Sequence, residues 1–343
     1  MEEFITDKWD DLLTCFSAES KDIYFDESYV KLYEDDHNRG FCYVYREDEA
    51  ILLFPFLRRS FYFNQNIYYD FETVYGYGGP IINVRQTAFT KRAFISLKHF
   101  FEKEGYVAGF IRFHPLLNNQ SLFGEVSSII RDRQTIAIDL EMSEEDIWMK
   151  EIHTKNRNTI KRGINNGLSF IVDEKYQYID EFIKLYNSTM QRLSADNFYF
   201  FPENYYNNLI QRLKNNFLGI VLYEGKVVSG ALFFYSTDYG HYHLSGSDVN
   251  YLSLCPNNYM LYEAALELKK RGVRKFHLGG GTTSGENDSL FCFKERFSKN
   301  RYWFNISKLI FNQSVYDALC QDWKEKNPDK SDKYKNFLLR YKY

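Results

Sequence analysis

An internal repeat is the feature of this sequence that most restricts its fold. Residues 41–57, FCYVYREDEAILLFPFL, align without gaps with residues 218–234, LGIVLYEGKVVSGALFF. In each segment, two runs rich in β-branched and aromatic residues flank a short charged or glycine-containing turn, which is the pattern of a β-hairpin. A further strand-like segment ending in small residues follows each hairpin. The sequence therefore predicts that one supersecondary unit occurs twice.

A helix is predicted after the third strand of each repeat, because apolar residues recur there at helical spacing. In the first repeat these residues are Phe89, Ala93, Leu97 and Phe100 or Phe101. In the second repeat they are Leu261, Ala264, Ala265 and Leu268. The two repeats therefore share the order of three strands followed by one helix.

The ends of these helices and the strands beyond them complete the repeat. We expect Gly105 to end the first helix, Asn257 to cap the start of the second, and Gly272 to end it. Two strands follow each helix, and residues 133–140 and 301–311 are predicted to form the last strand of the first and second repeat. The period far exceeds that of a solenoid, so the pattern indicates two homologous α/β domains.

Composition restricts the class of protein. The 343 residues are 44% hydrophobic and 26% charged, as in folded domains, and the formal net charge of −3 means that any nucleic-acid contact must use a local basic patch. The five cysteines are odd in number, scattered and never paired as C-x-x-C, which argues against a disulfide framework and a cysteine zinc site. No signal peptide and no apolar run of ~20 residues is recognisable. We expect a cytoplasmic protein without a transmembrane segment.

A basic segment connects the two repeats. Lys150 to Arg162 contains five basic residues and one acid, Glu151, after an acidic stretch that Ser143 could cap. We predict a helix here that ends at Gly163 or Gly167. Four of its side chains are candidates for binding phosphate groups: Lys155, Arg157, Lys161 and Arg162. The alternative is a solvated helix face without a ligand.

Four stretches resemble a known family. They are YGYGGPI, FIRFHPL, HTKNRNTIKRGINNGL and FHLGGGTTSGENDSLFCFKERF. The repeated unit resembles the GNAT acyltransferase fold, and the tandem arrangement resembles the Fem family of aminoacyltransferases, which build peptidoglycan cross-bridges, and related tandem GNAT-like acyltransferases. The likeness extends from about residue 41 to about residue 311 and is most specific in the last stretch. It implies two tandem GNAT-like domains, each a mixed sheet flanked by helices.

The repeat and the resemblance together give predicted domain boundaries. Residues 1–142 form the N-terminal domain, residues 143–166 the connecting basic helix and residues 167–343 the C-terminal domain. The segment after about residue 315 is expected to pack back on the first domain.

The resemblance implies that Phe293 and Lys294 lie in the active site. Acyl transfer to an amine passes through a tetrahedral oxyanion, and a fixed cation aimed at that oxyanion stabilises the transition state more than the ground state. Lys294 is therefore the candidate catalytic residue, and Phe293 is expected to pack against the donor. The alternative is an ordinary surface lysine on an amphipathic helix.

The glycines before this segment do not form a nucleotide loop. Glu286 stands where the P-loop lysine would be, and Ser284 replaces the last glycine of the dinucleotide-binding pattern. Gly279 and Gly280 are better explained as a strand end where the backbone bends or lets a substrate approach. They are candidate site residues for that reason.

Further candidates concern the donor and the acceptor. The Thr189-x-x-Arg192 spacing is similar to the Fem pattern near the acceptor's phosphate-sugar moiety, although an ordinary surface arginine is an alternative. Tyr75 and Tyr77 are candidates for lining an acceptor groove, or for a tight turn.

The loop that grips pyrophosphate in acyl-CoA-dependent GNAT enzymes is missing from LSLCPNNYMLY, which favours aminoacyl-tRNA or another activated donor. Asn258 and Tyr259 then become candidates for lining the donor or acceptor cleft.

Metal and nucleophile chemistry are not indicated. His241 and His243 share a strand face near Asp248, but no third ligand has suitable spacing, so no metal site is predicted. No Ser/His/Asp or Cys/His set stands out, which fits direct attack by the acceptor amine. We expect no tightly bound cofactor, with aminoacyl-tRNA or acyl-CoA as co-substrate.

The sequence leads to one principal functional hypothesis and two alternatives. The principal one is an N-acyltransferase that transfers an aminoacyl group from aminoacyl-tRNA to an amine of a peptidoglycan precursor. One alternative is an acyl-CoA-dependent N-acyltransferase acting on an amino sugar in surface polysaccharide biosynthesis. The other is a non-catalytic module that binds a glycan or a nucleotide sugar.

Overall fold

A computed structural model describes residues 1–123, 129–285 and 287–343 of the chain. The strands are β1 (Glu2–Thr6), β2 (Asn38–Glu47), β3 (Ala50–Phe63), β4 (Asn66–Glu72), β5 (Ile81–Ile82), β6 (Tyr106–Arg112), β7 (Ile129–Asp139), β8 (Ser169–Asp173), β9 (Asn216–Tyr223), β10 (Lys226–Tyr235), β11 (Tyr239–Ser247), β12 (Lys275–Gly280) and β13 (Arg301–Ile310). The α-helices are α1 (Asp10–Leu13), α2 (Glu27–Val30), α3 (Thr87–Lys103), α4 (Glu144–Asp146), α5 (Thr154–Asn165), α6 (Ile179–Arg192), α7 (Glu203–Arg212), α8 (Pro256–Lys270), α9 (Ser289–Glu295), α10 (Gln313–Lys326) and α11 (Ser331–Tyr334).

The chain folds into two units. Unit 1 contains residues 1–132 and 304–343, and unit 2 contains residues 133–303. These boundaries differ from the predicted ones, since the first crossing lies at residue 133 instead of 143 and the chain returns to unit 1 at residue 304, before the predicted position of about 315. Each unit is an α/β structure with a mixed sheet and flanking helices.

The sheets of the two units have the same plan. In unit 1 the strand order is β1-β2-β3-β4-β6-β13, and in unit 2 it is β7-β12-β11-β10-β9-β8. Neighbouring strands are antiparallel except for one parallel pair in each unit, β4 with β6 and β11 with β12. In each unit the parallel pair is joined through the long helix, α3 or α8, as a crossover connection requires.

The last strand of each predicted repeat pairs with the sheet formed by the other repeat. β13 lies antiparallel to β6, with Ile306 opposite Arg112, although it follows the second repeat in sequence. β7 lies antiparallel to β12, with Asp139 opposite Lys275, although it follows the first. Residues 133–140 and 301–311 do form strands, as predicted, but their partners are exchanged because strand-forming residues do not specify which edge they join.

The apolar faces predicted for the two long helices are buried. In α3 the residues Phe89, Ala93, Leu97 and Phe101 are at most 1% exposed, and they pack with the aromatic residues of β2 and β3. In α8 the residues Leu261, Ala264, Ala265 and Leu268 are fully buried in the core of unit 2. Gly105 and Gly272 follow these helices with φ of 79° and 86°, which is the left-handed conformation of a helix-ending glycine.

Two details of the helices differ from prediction. Asn257 does not cap α8: the residue before the helix is Cys255, and Asn257 lies within the first turn with its side-chain oxygen accepting hydrogen bonds from Ser229 and Ser247. The predicted connecting helix is two segments: Ser143 caps α4, a π-helical turn covers 147–151, and α5 starts at Thr154.

Arg157 explains the break in the connecting helix. Its guanidinium donates hydrogen bonds to the backbone carbonyls of Trp148, Met149 and Ile152, which are acceptors left open where the first segment ends. α5 then continues through Gly163, and the exit is at Gly167, which has φ of 79°.

The C-terminal segment packs on β6 of unit 1 and is held in shape by its own hydrogen bonds. Trp323 on α10 donates its indole N–H to the carbonyl of Tyr343, and the Tyr316 hydroxyl donates to the carbonyl of Leu338. These contacts accompany a small apolar cluster that α10 and the last residues form with β6. In the part of the chain that the structure describes, no helix combines the length and the apolar character needed to cross a bilayer.

Candidate active site

The parallel strands of unit 2 separate at the point where the site is built. β11 and β12 are paired at Tyr239 with Lys275, Gly240 with Phe276, and His241 with His277. Beyond this point β11 continues along β10, and β12 continues along β7. The sheet therefore opens between residues 242–247 on one side and 278–280 on the other, which exposes strand edges within the fold.

Two glycines mark the end of β12. The pairing of β12 with β7 contains an irregularity between His277 and Gly279, and Gly279 has φ of 78°. Only glycine adopts this conformation without strain, so the backbone bends here as the sequence predicted. Gly280 follows in the strand, and its carbonyl points to the helix that comes next.

The helix α9 brings Lys294 to this carbonyl. The side chain of Lys294 is largely buried, with 7% of the residue exposed, and its Nζ donates a hydrogen bond to the Gly280 carbonyl oxygen at 2.7 Å. Nζ lies 5.8 Å from the centre of the Tyr242 ring, the first residue of β11 beyond the paired stretch. Lys294 is therefore not a surface lysine, and it lies beside both strands where they separate.

Burial changes the acid–base behaviour of Lys294. Desolvation lowers the pKa of its ammonium to about 7, with a further lowering by Arg133, while the negative charge of Asp288 acts in the opposite direction. Near neutral pH both the ammonium and the amine are populated. The ammonium can donate a hydrogen bond to a developing oxyanion, and the amine could accept a proton.

The loop between β12 and α9 is fixed by Asp288. This residue caps α9, with its side chain accepting hydrogen bonds from the backbone N–H groups of Leu290 and Phe291. It also binds Thr282 and Thr283 of the loop. Glu286, on which the argument against a P-loop depends, lies outside the described residues.

The start of α8 is covered by α5. Gly163 of α5 lies against the Leu254 carbonyl and Tyr259, where a Cβ atom added to Gly163 would be 3.5 and 3.2 Å from them. Asn258 donates a hydrogen bond of 2.7 Å to the side chain of Asn156, which is buried on α5. The first residue of α8 is Pro256, which has no N–H to offer an anion.

Some predicted site residues lie close together in unit 2. Phe293, Lys294, Gly279 and Gly280 belong to the opening between β11 and β12, and the half-buried Phe293 ring packs at 5.5 Å on Phe297. Asn258 and Tyr259 lie in the first turn of α8, where burial and the neighbouring Glu263 raise the pKa of the Tyr259 hydroxyl to about 12.

The predicted basic residues have different surroundings. Lys155, Lys161 and Arg162 are exposed on α5, whereas the guanidinium of Arg157 is committed to backbone carbonyls. Arg192 is exposed at the end of α6.

Tyr75 and Tyr77 belong to unit 1. The Tyr75 carbonyl accepts a hydrogen bond from the Tyr29 hydroxyl, and the Tyr77 ring packs edge-on against Tyr24 and His114. The two tyrosines are thus part of an aromatic cluster in that unit.

Two residues next to Lys294 were not predicted from the sequence. Tyr242 has no motif that distinguishes it from the other tyrosines of its strand. Arg133 donates hydrogen bonds to the carbonyls of Gly281 and Thr282, a contact across 148 and 149 residues of sequence that local patterns do not reveal. His243, once considered with His241 for a metal, has a Tyr205 hydroxyl 2.7 Å from its Nε2, and burial lowers its pKa to about 3.

Comparisons with known proteins agree with this fold. A sequence profile described as an acetyltransferase (GNAT) domain matches residues 154–287. Among solved structures, the chain is similar to FemX, with 14% identity, a TM-score of 0.72, and coverage of 93% of this chain and 99% of FemX. None of the curated proteins matches the chain.

Two further structures share the fold. One is the C-terminal domain of a putative lysylphosphatidylglycerol synthetase from Agrobacterium fabrum, with 12% identity, a TM-score of 0.54, and coverage of 88% of this chain and 90% of that one. The other is a tandem GNAT protein from the clavulanic acid biosynthesis pathway, with 8% identity, a TM-score of 0.52, and coverage of 91% and 99%. The predicted fold, a tandem GNAT-like α/β structure resembling the Fem proteins, is confirmed. The predicted enzyme class, an acyltransferase, is confirmed as well.

Proposed function

We propose that this protein transfers an aminoacyl group from aminoacyl-tRNA to an amine of a peptidoglycan precursor. The observation that carries the proposal is the buried Lys294 beside the opening between β11 and β12, which is the lysine of a Phe-Lys-x-x-Phe segment, residues 293–297, that resembles the Fem family. The similarity to FemX in fold is consistent with it. The similarity to a putative lysylphosphatidylglycerol synthetase, named for an aminoacylated product, also favours an aminoacyl donor.

The chemistry requires one nucleophilic addition and one elimination. The acceptor amine attacks the ester carbonyl carbon of the donor, so that a C–N bond forms and the carbonyl oxygen becomes an oxyanion. The Lys294 ammonium donates a hydrogen bond to this oxyanion. Collapse of the intermediate re-forms the carbonyl and breaks the ester C–O bond. The amine loses one proton and the released ribose hydroxyl gains one, so the products are an amide and free tRNA.

Contacts at the start of α8 favour this donor over acyl-CoA. A helix N-terminus can hold a pyrophosphate through its free N–H groups. Here Pro256 supplies no N–H, the Asn257 side chain is turned toward Ser229 and Ser247, and α5 lies against the first turn. A CoA pyrophosphate would have to compete with these contacts.

The exposed cations of the molecule fit a phosphate-bearing substrate. Lys155, Lys161 and Arg162 on α5 are proposed to contact the donor RNA backbone, where sequence-independent binding depends on such local charge. Arg192 is proposed to bind the diphosphate of the acceptor through its planar guanidinium. These roles remain separate from that of Lys294.

A donor screen tests the proposal. Purified protein is incubated with radiolabelled aminoacyl-tRNAs, or with acetyl-CoA, together with amine-bearing peptidoglycan precursors and amino sugars. Lys294→Met serves as the matched inactive variant. We expect label to move from charged tRNA to a precursor amine with wild-type protein and not with the variant. Transfer from acetyl-CoA to an amino sugar would replace the proposal with the alternative drawn from the sequence. Absence of transfer from every donor would contradict both.

A further inference from the structure

We propose that Asp288 is the positioning residue of the acyl-transfer site: it fixes the loop that holds the Gly280 carbonyl against Lys294, and it supplies the negative charge that balances the buried ammonium. This inference rests on the proposed function, because it assigns a role within the same site. It concerns a residue that does not itself contact substrate. It acts through Lys294.

The carboxylate of Asp288 joins the two sides of the loop. One oxygen, Oδ2, accepts hydrogen bonds from the Thr282 hydroxyl at 2.6 Å, the Thr283 backbone N–H at 2.9 Å and the Thr283 hydroxyl at 3.1 Å. The other, Oδ1, accepts from the N–H groups of Leu290 and Phe291 at 3.0 and 2.9 Å. Five hydrogen bonds to one carboxylate link the end of β12 to the start of α9.

The loop backbone is pressed against this carboxylate. A Cβ atom placed on Gly281 would be 2.4 Å from Asp288 Oδ1 and 2.6 Å from its Cγ, closer than real Cβ contacts allow. Arg133 holds the same stretch from β7 by donating to the Gly281 and Thr282 carbonyls at 3.0 and 2.9 Å. The adjoining Gly280 carbonyl is therefore fixed, and with it the direction of the Lys294 ammonium.

The charge of Asp288 is present at every useful pH. Its hydrogen bonds from Thr282, Phe291 and Thr283 outweigh desolvation and hold the pKa of this carboxyl well below its ordinary value. Among the described residues, three groups act on Lys294: Asp288 from the cap of α9, Arg133 from β7 and Tyr242 from β11. Burial raises the pKa of Tyr242 to about 12, so its hydroxyl stays neutral. Asp288 is the anion of this set, and it raises the pKa of Lys294 while Arg133 lowers it.

The test is Asp288→Asn, which keeps the size of the side chain and removes the charge. The oxyanion-stabilising form of Lys294 is the ammonium, so activity declines as pH rises through its pKa. Loss of the neighbouring negative charge is expected to move that decline down by about one pH unit. At pH 8 this shift alone amounts to a loss of about tenfold in kcat, and at pH 5.5 to less than about twofold, on top of a pH-independent loss from the weakened loop hydrogen bonds. If the declining limb stays in place, Asp288 has no electrostatic role and the inference is overturned.

Two further variants separate charge from structure. The double variant Thr282→Val with Thr283→Val removes the two hydroxyl hydrogen bonds to Asp288 and keeps the carboxylate. We therefore expect kcat to fall while the pH at which it declines stays the same. Asp173→Asn is the matched control, because Asp173 also accepts backbone N–H groups in unit 2, from Lys175 and Tyr178. It should leave kcat and its pH profile unchanged. A profile shift in Asp173→Asn equal to that in Asp288→Asn would refute a specific role for Asp288.

The pKa of Lys294 can also be measured without the reaction, which separates the coupling of Asp288 to Lys294 from the proposed function. NMR titration of lysines labelled at Cε, with Lys294→Met to assign the signal, reports the pKa of Lys294 directly. Asp288→Asn should lower that pKa by about one unit. An unchanged pKa overturns the inference even if the enzyme transfers aminoacyl groups. A lowered pKa in a protein that uses no donor overturns the proposed function and leaves the coupling between the two residues in place.

Discussion

Replacing Lys294 with methionine should abolish most of the activity and at the same time stabilise the protein. Methionine is close to lysine in length and carries no charge. Removing one oxyanion donor typically costs ~10²–10³-fold in kcat. The effect on stability has the opposite sign, because the ammonium is buried with 7% of the residue exposed.

The size of the stability effect can be worked from the site. The pKa of Lys294 is about 7 in place of the ordinary 10.5, and one pKa unit corresponds to ~1.4 kcal/mol, so burying the ammonium costs on the order of 5 kcal/mol at low pH. Methionine removes this cost but leaves the Gly280 carbonyl without its donor, a loss of ~1–3 kcal/mol. The variant should therefore be more stable than wild type by ~2–4 kcal/mol below pH 7.

The stability advantage of Lys294→Met over wild type should decrease as pH rises. Below pH 7 the lysine is protonated in both the folded and unfolded states, so wild type bears the full cost. Between about pH 7 and 10.5 the unfolded state binds more protons than the folded state, and wild-type stability rises with pH. The stability difference in favour of the variant should be largest at and below about pH 6 and fall to zero between about pH 8.5 and pH 10. Above about pH 10.5 it should reverse, because only the lost hydrogen bond to the Gly280 carbonyl, worth ~1–3 kcal/mol, then remains.

Urea unfolding at pH 6 and pH 9.5, read by tryptophan fluorescence, measures this difference beside the kcat of aminoacyl transfer. A Lys294→Met protein that is less stable than wild type at pH 6 would refute the burial argument. A variant that retains more than about a tenth of wild-type kcat would refute the catalytic role.

Three more predictions concern the site and the scaffold. The pH profile of wild-type kcat should decline above about pH 7, because burial lowers the pKa of Lys294 to that value. A kcat that instead rises through pH 7 and then levels off would show that the neutral amine is the active form. Gly281→Ala should reduce kcat by about tenfold and destabilise unit 2 by ~1–3 kcal/mol, because its Cβ would meet Asp288. Gly225→Ala is the control for stability loss alone: φ there is 78°, so alanine strains the backbone, but its Cβ would meet nothing within 4 Å. Equal kcat losses in the two variants would exclude a special role for Gly281. Glu72→Gln should destabilise unit 1 by about 3 kcal/mol in urea unfolding at pH 7, because Arg112 and Lys342 lose their carboxylate. These two cations outweigh burial and lower the pKa of Glu72 to about 2, so the stability advantage of wild type should disappear as pH falls from about 4.5 to 2. An advantage that persists at pH 2 would contradict this assignment.

Local sequence patterns were sufficient for the two long helices and the last strands of the repeats, but not for the partners of those strands. The faces of α3 and α8 could be predicted because burial of Phe89 or Leu261 follows from spacing along one helix. The exchange of β7 and β13 could not, since residues 133–140 and 301–311 would satisfy either sheet edge. The broken connecting helix was also out of reach, because the side chain of Arg157 competes for carbonyls only once the chain has turned.

The site itself was predicted in part. Gly279 and Gly280 were predicted from the expected bend at a strand end, and Gly279 does have the left-handed backbone of such a bend, whereas Lys294 was proposed through a family resemblance. The burial of Lys294 could not be predicted, because it depends on Tyr242 and the Gly280 carbonyl, which approach it from two strands. The contribution of Arg133 is likewise a product of the exchanged strand β7.

The repeated fold also indicates why unit 2 would carry the chemistry. In unit 1 the parallel strands β4 and β6 stay joined beyond their paired stretch: the Thr73 side chain accepts a hydrogen bond from the Arg112 N–H, and Gly78 bridges Phe113. A Cβ on Gly79 would lie 2.8 Å from the Phe113 ring, so the chain closes tightly over the place that corresponds to the opening in unit 2.

The charges beside the two parallel strand pairs also differ between unit 1 and unit 2. Next to β4 and β6, the mostly buried Glu72 is paired with Arg112 and Lys342, so the charges there neutralise each other within the scaffold. Next to β11 and β12, Lys294 donates to a neutral carbonyl, and the charge of Asp288 offsets only part of the cost of burial, so its pKa stays at about 7. A cation that is desolvated and incompletely neutralised gains most from an anion that forms during a reaction. One copy of the unit thus uses this place for stability, and in the other copy the opening is available for the oxyanion that we propose.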